Sequence, residues 1–381
     1  MVVMEEEINK FIMVWSSFIA STCYCYAVSK LVSQAAIRLL MFLPVLYLFF
    51  LLPLTIKSIN LVVITGFSMT WLATFKLLLL VFHTGPLSNP SLSLFHFVLI
   101  SCLPLGLRQP SATTKTSVNN IKGLEINHFG IHNINEVVLT CFPYFVRRSL
   151  IMIMLVALGF HKHIFPRDVF LIIICIYLYL SMEVILTAVA IVGQILLGNE
   201  AKVELPFNKP YLSTSLQDFW SYRWNRVGSS ILQSTIFDPI LHHTLPVLGR
   251  KWAALLALLA TFLVSELMHE IVFSYVGRVR FRWGTPLFFL VQVVCVVIEN
   301  MLKRRVKGRW EVPQVYAGPL IFGFQICTFM WLVLSELLEY KLDDRVLQEY
   351  ADVCEILKNL VLTWSKMSYD LLVQPSILKQ V

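Results

Sequence analysis

Charge is scarce in this sequence. Only 14% of its 381 residues are Asp, Glu, Lys or Arg, whereas 57% are hydrophobic and mean hydropathy is +0.73. Soluble domains carry about 25% charged residues, so the composition predicts a polytopic membrane protein. No stretch between apolar runs is long enough for a separate soluble domain. The eight cysteines (23, 25, 102, 141, 175, 295, 327 and 354) show no Cys-x-x-Cys and no Cys/His metal spacing. They predict reduced, mostly buried thiols, with neither a disulfide framework nor a metal site. A continuous basic face is missing, which excludes a nucleic-acid reader. Internal repeats and low-complexity tracts are missing as well. The first residues are acidic (Glu5, Glu6, Glu7) rather than basic. That is wrong for a secretory signal peptide, so 11–32 is expected to be a retained first helix.

What charge there is comes in short clusters between apolar runs, with a net of +8. Arg147-Arg148, Arg250-Lys251, Arg278/Arg280/Arg282 and Lys303-Arg304-Arg305 with Lys307 and Arg309 read as topology signals and lipid headgroup contacts. One or two of them could also attract a phosphate-bearing ligand. About 20 apolar residues suffice to cross a bilayer. Runs of that kind fall at 11–32, 38–56, 59–82, 148–164, 169–197, 252–276, 284–302 and 312–335. Lys76 lies near enough to one end of its run to be expected to snorkel. A ninth run, 91–107, holds Pro104 and Gly106 and reads as short or re-entrant. The expectation is an all-α transmembrane bundle of eight or nine spans. It divides into N-terminal helices (1–110), a polar loop (111–147), a helical core (148–336) and an amphipathic tail (337–381). His128 and His132, four apart in the polar loop, lack a third ligand and read as surface histidines.

The stretch Leu263–Phe273 stands out, because Glu266, His269 and Glu270 interrupt an otherwise hydrocarbon run. Each charge placed there costs about 2.5–3.5 kcal/mol on the gentler insertion scales, which marks a functional candidate. On a helix, Glu266 shares a face with His269 and with Glu270. Glu183, in the middle of 169–197, is a second intramembrane candidate; a hydrogen bond between helices explains it equally well. The segment 205–226 is not loop-like. Pro206 and Pro210 fix an extended approach, and Thr214 with Gln217, or Ser215 with Asp218, forms a capping-box start. Beyond it Leu216, Phe219, Trp220, Trp224, Val227 and Ile231 form one stripe, while Asp218, Ser221, Asn225 and Ser229 line another. An amphipathic interfacial helix fits this pattern. So does a helix whose polar face, with Arg223 and Asn225, points into a catalytic cavity.

A histidine at membrane depth beside carboxylates makes a general base. A lipid alcohol is its natural proton donor there, and an activated acyl group the natural electrophile. A carboxamide such as Asn225 offers a neutral donor to the resulting oxyanion. The lack of a Gly-x-Ser-x-Gly elbow or Cys/His pair argues against a covalent acyl-enzyme. A proton-coupled transporter using Glu183, Glu266 and His269 is the rival from another class, but it should show repeated halves.

Several pieces, in order and spacing, resemble the plant wax synthase group of the membrane-bound O-acyltransferases. They are Phe75-Lys76-Leu77-Leu78-Leu79, Gly85-Pro86-Leu87, Phe207-Asn208-Lys209-Pro210-Tyr211-Leu212, Ser215-Leu216-Gln217-Asp218-Phe219-Trp220 with Arg223-Trp224-Asn225, Leu248-Gly249-Arg250, Thr261 to Glu270, Gly308-Arg309-Trp310 and Gly318-Pro319-Leu320. The resemblance implies a helix bundle around a tunnel in the endoplasmic reticulum membrane, with membrane lipids around it. It implies acyl-CoA as co-substrate, a lipophilic alcohol as acceptor and no permanently bound cofactor. It assigns catalysis to His269 with Asn225 as its partner. Asp218, Trp220, Arg223 and Trp224 would line the cofactor side, with Arg223 toward phosphate and Glu270 orienting the helix or the ring. Two departures bear on the substrate: Glu266 stands where the family usually has Gly, and His83 where it has an acidic residue. Sterol acylation, or acetyl transfer to diacylglycerol or a terpenoid alcohol, are the alternatives within the same chemistry.

Overall fold

A computed structural model describes residues 2–107, 130–131, 137–198, 203–277, 283–306 and 313–377. The pair His128/His132, the Arg278/Arg280/Arg282 cluster and Gly308-Arg309-Trp310 lie outside the described residues. Among those described, eight helical stretches are long and apolar enough to cross a membrane. They are α1 (Val2–Leu31), α2 (Ala35–Leu51), α3 (Ile59–Val81), α5 (Phe142–Phe160), α6 (Arg167–Leu197), α7 (Arg226–Gly277), α8 (Gly284–Val306) and α9 (Gln314–Leu338). The ninth apolar run becomes α4 (Leu94–Cys102), nine residues long. At 1.5 Å per residue that is about 14 Å, too short to span. It returns into the bundle as re-entrant, and α10 (Leu342–Ile377) forms the tail.

Lys76 does not snorkel. It is fully buried, and its ammonium donates to the carbonyls of Ile100 and Leu103, each at 2.7 Å. The Ile100 carbonyl, in the last turn of α4, has no partner within that helix, and the Leu103 carbonyl just beyond it also accepts from the Leu105 amide at 2.8 Å; the lysine serves both. Beyond α4 the chain forms β1 (Gly106–Leu107), which pairs antiparallel with β3 (Val203–Glu204). The third strand, β2 (Gly130–Ile131), pairs with β3 from the other side, giving the order β1-β3-β2.

The expected polar loop ends earlier than the charges suggest, because helical structure starts at Val137 and runs through Arg147-Arg148. Arg148 is no boundary marker. Its guanidinium lies 3.2 Å from the carboxylate of Glu183 on α6, inside the bundle. The segment after Ser215 is likewise not one continuous helix. A turn at Leu216–Asp218 widens into a π-turn over Phe219–Arg223, breaks at Trp224-Asn225, and restarts as α7. Ser215 caps that first turn, accepting from the Asp218 amide at 2.9 Å, while the Asp218 carboxylate returns to the Thr214 amide at 2.9 Å. Helix α7 carries a second break at Gly249, whose φ of 71° lies outside helical space.

Candidate active site

Asn225 sits at the break before α7 in a left-handed conformation, φ 37° and ψ 62°. Its side-chain carbonyl accepts from the Gly228 amide at 3.2 Å, which caps the helix and fixes the orientation of the carboxamide. The donor end, Nδ2, lies against Gly228, where a Cβ would stand 2.8 Å from Asn225 Nδ2 and 3.2 Å from Trp71 Cη2, so a larger residue there would displace the carboxamide. Trp71, on α3, thus lies against the turn that carries Asn225.

Trp71 also meets His269. Their ring centroids are 5.3 Å apart, and Phe67, Phe289 and Phe273 complete an aromatic enclosure at 5.5, 5.0 and 6.3 Å. His269 Nδ1 lies 2.7 Å from the backbone carbonyl of Ser265, one turn earlier. A carbonyl only accepts, so Nδ1 carries the proton and Nε2 keeps its lone pair. Met268 packs with Trp71, Val227 and Ile231 in one cluster, joining the histidine's helical turn to the asparagine's. Trp71 thus lies against both the His269 ring and the turn that carries Asn225.

Glu266 is 8% exposed and makes no hydrogen bond or ion pair with the described residues. On α7 it shares a face with Phe262, His269 and Phe273, all of which pack toward Phe289. Glu270 follows Glu266 by one helical turn and is partly buried.

On the opposite wall, Trp224 stacks between Phe219 (5.4 Å, 20°) and Tyr179 (5.9 Å, 29°). Trp220 reaches Phe262 and Phe289, and its indole N–H points to Gln292 Oε1 at 3.4 Å. Gln292 also accepts from Gln325 at 2.9 Å and donates to Thr328 at 3.1 Å. Sequence reasoning missed this amide pair; each glutamine is a lone polar residue in an otherwise apolar span, which was the available signal.

The remaining candidates are occupied structurally. Arg223 is bound by Asp218 at 2.6 Å and leans on the Asn208 carbonyl at 3.4 Å, so the pair braces the chain entering the break. Glu183 is buried, accepts from Tyr144 at 2.6 Å and Tyr179 at 2.9 Å, and faces Arg148. It clamps α5 to α6 rather than standing beside His269. A basic crevice of about 550 Å³, lined by Leu241, Arg250, Lys251, Ala254 and Arg304, opens elsewhere between α7 and α8.

An imidazole with a free Nε2, enclosed by rings at membrane depth beside a fixed carboxamide, suits proton removal from a lipophilic hydroxyl. The comparisons with known proteins agree on the class. Residues 203–291, which hold the break, Asn225, Glu266 and His269, match the membrane bound O-acyl transferase family. An acyl-CoA–sterol O-acyltransferase from Arabidopsis thaliana is 35% identical over 90% of this chain and 94% of its own length. A long-chain-alcohol O-fatty-acyltransferase from Simmondsia chinensis is 36% identical, covering 91% and 94%. A probable long-chain-alcohol O-fatty-acyltransferase from Arabidopsis thaliana is 34% identical, covering 94% and 98%. The chain belongs to the membrane-bound O-acyltransferase family and is an acyltransferase.

Proposed function

We propose that this protein transfers an acyl group from acyl-CoA to a long-chain alcohol, forming a wax-type ester. The observation that carries the reading is the His269 ring: Nδ1 is committed to the Ser265 carbonyl, leaving Nε2 as the basic atom within the aromatic enclosure. In this mechanism Nε2 takes the hydroxyl proton and the alcohol oxygen attacks the thioester carbonyl. Asn225 Nδ2 donates to the oxygen that becomes negative. The C–S bond then breaks, and the imidazolium returns its proton to the departing CoA sulfur. Removing one such oxyanion donor typically costs about 2.7–4 kcal/mol.

Charge distribution supports an orientation. Lys30, Arg38 and His83 cluster at one end of the bundle, and α8 carries Lys303, Arg304 and Arg305 to that same end. Glu7, Lys57, Glu349, Lys162 and Asp343 meet at the other. By the positive-inside rule the Lys30/Arg304 end is cytosolic, with acyl-CoA entering there and the start of α1 across the membrane. The resemblance to the wax synthases supports the endoplasmic reticulum as that membrane.

A sterol acceptor is the second reading, supported by the 35% identity to the sterol enzyme. Microsomes containing the protein, supplied with labelled acyl-CoA, long-chain alcohols, sterols and diacylglycerol, decide between them. Labelled wax ester with release of CoA is the expected product. Exclusive labelling of sterol ester would replace the proposed acceptor.

A further inference from the structure

Trp71 is 3% exposed, and its indole N–H has no hydrogen-bond partner. Leaving such a donor unpaired away from water costs roughly 1–3 kcal/mol, so buried N–H groups without acceptors are rare and call for an explanation. The bicycle packs among Phe67, Phe75, Leu232 and Met268, and apolar packing alone does not use its N–H. The residue lies within a π-turn, Phe67–Ala73, in the middle of α3. A widened turn of this kind re-aims the side chains it carries and is frequent at functional sites. Its ring touches the two groups assigned to the chemistry: the His269 ring at 5.3 Å, and the Asn225 turn across Gly228.

An indole N–H is a donor only. It cannot take the hydroxyl proton, and donating to the alcohol oxygen would withdraw the electron pair needed for attack. The thioester carbonyl oxygen has the opposite requirement, because it accumulates charge as the new C–O bond forms. We propose that Trp71 Nε1–H donates to the acyl carbonyl oxygen of bound acyl-CoA, and to the oxyanion it becomes, as a second donor beside Asn225. This inference rests on the acyl-CoA reading above. It assigns Trp71 as a catalytic residue on α3, apart from the elements that carry Asn225 and His269.

The test uses the full-length protein and two non-reactive ligands. An S-(2-oxoalkyl)-CoA keeps a carbonyl near the thioester position, and an S-alkyl-CoA thioether of matched length lacks it. Wild type should bind the oxo analogue about tenfold more tightly. Trp71→Phe should lose about tenfold in affinity for the oxo analogue and none for the thioether, and its kcat should fall about 10–10²-fold. Replacing the indole by benzothiophene at position 71, which keeps the bicycle and removes only the N–H, should reproduce both effects if the phenyl variant folds poorly. Unchanged kcat, or equal weakening of both analogues, would overturn the proposal. Wild-type protein that makes no ester from any alcohol would instead defeat the acceptor assignment, and the analogue comparison would still decide the role of Trp71.

Discussion

At the scale of single residues, two positions carry specific expectations. Glu266 stands on the same face as His269 and is largely buried. Glu266→Gly removes a carboxylate and widens the chamber. Relative rates across a panel of alcohols should therefore shift by about tenfold or more, since even one methylene in a pocket is worth 10–200-fold. An unchanged acceptor ranking would show that the carboxylate faces away from substrate. Gly228→Ala pushes a methyl group against Asn225 Nδ2 and Trp71. Ester formation should drop on the order of 10²-fold, as expected when a reacting group is displaced by about 1 Å. His269 stood out in the sequence because it interrupts an apolar run, whereas Asn225 was one of several residues on a polar face and was singled out by the resemblance. Trp71 was not legible: an aromatic residue in an apolar helix reads as packing, and only three-dimensional placement shows its N–H unpaired. Glu183 was legible as intramembrane and polar, yet its partners Tyr144, Tyr179 and Arg148 come from spacing that no local pattern encodes.

At the scale of elements, hydropathy located the spans well and their ends poorly. Charges are ambiguous boundary signals. Arg148 and Lys76 sit inside the bundle because each finds acceptors there, a carboxylate for one and two helix-end carbonyls for the other. Lys76→Met keeps the volume and removes both hydrogen bonds. It should destabilise the protein by about 1–3 kcal/mol for the orphaned Ile100 carbonyl, read as a lower Tm in detergent. The break at Trp224-Asn225 was invisible to periodicity, since the apolar stripe continues through it. What stops the helix is the left-handed asparagine, together with backbone bonds from Asn208 to the Arg223 carbonyl and from Arg226 to the Pro206 carbonyl. That break is what turns the Asn225 carboxamide toward α3.

At the scale of the whole molecule, the tail is tied to the rest by charge. Glu349 of α10 accepts from the amides of Ile59 (2.6 Å) and Asn60 (3.2 Å) at the N-terminus of α3, where a carboxylate is favoured. Lys162, between α5 and α6, is held by Asp343 and Asp344. Burial opposes its charge, but the two carboxylates outweigh it and hold the ammonium above the ordinary lysine range. A raised folded-state value means this attachment is fully present below the ordinary lysine range and is lost as pH rises through the folded-state value. Protease sensitivity of α10 should therefore increase at strongly alkaline pH in wild type, while Lys162→Met should show the increased sensitivity already at neutral pH. The orientation predicts that a tag ahead of α1 is protected from protease in sealed microsomes. Its digestion there would reverse the assignment of the cytosolic face. The overall class was readable from composition alone, whereas the pairing of α10 with α3 and α5 depends on residues far apart in the chain.

The account turns on His269 as the base. The most direct measurement is single-turnover ester formation by purified His269→Ala alongside binding of acyl-CoA to the same sample. A rate reduced about 10²–10⁴-fold with acyl-CoA affinity retained is the predicted result. Ester formation at the wild-type rate in that variant would contradict it.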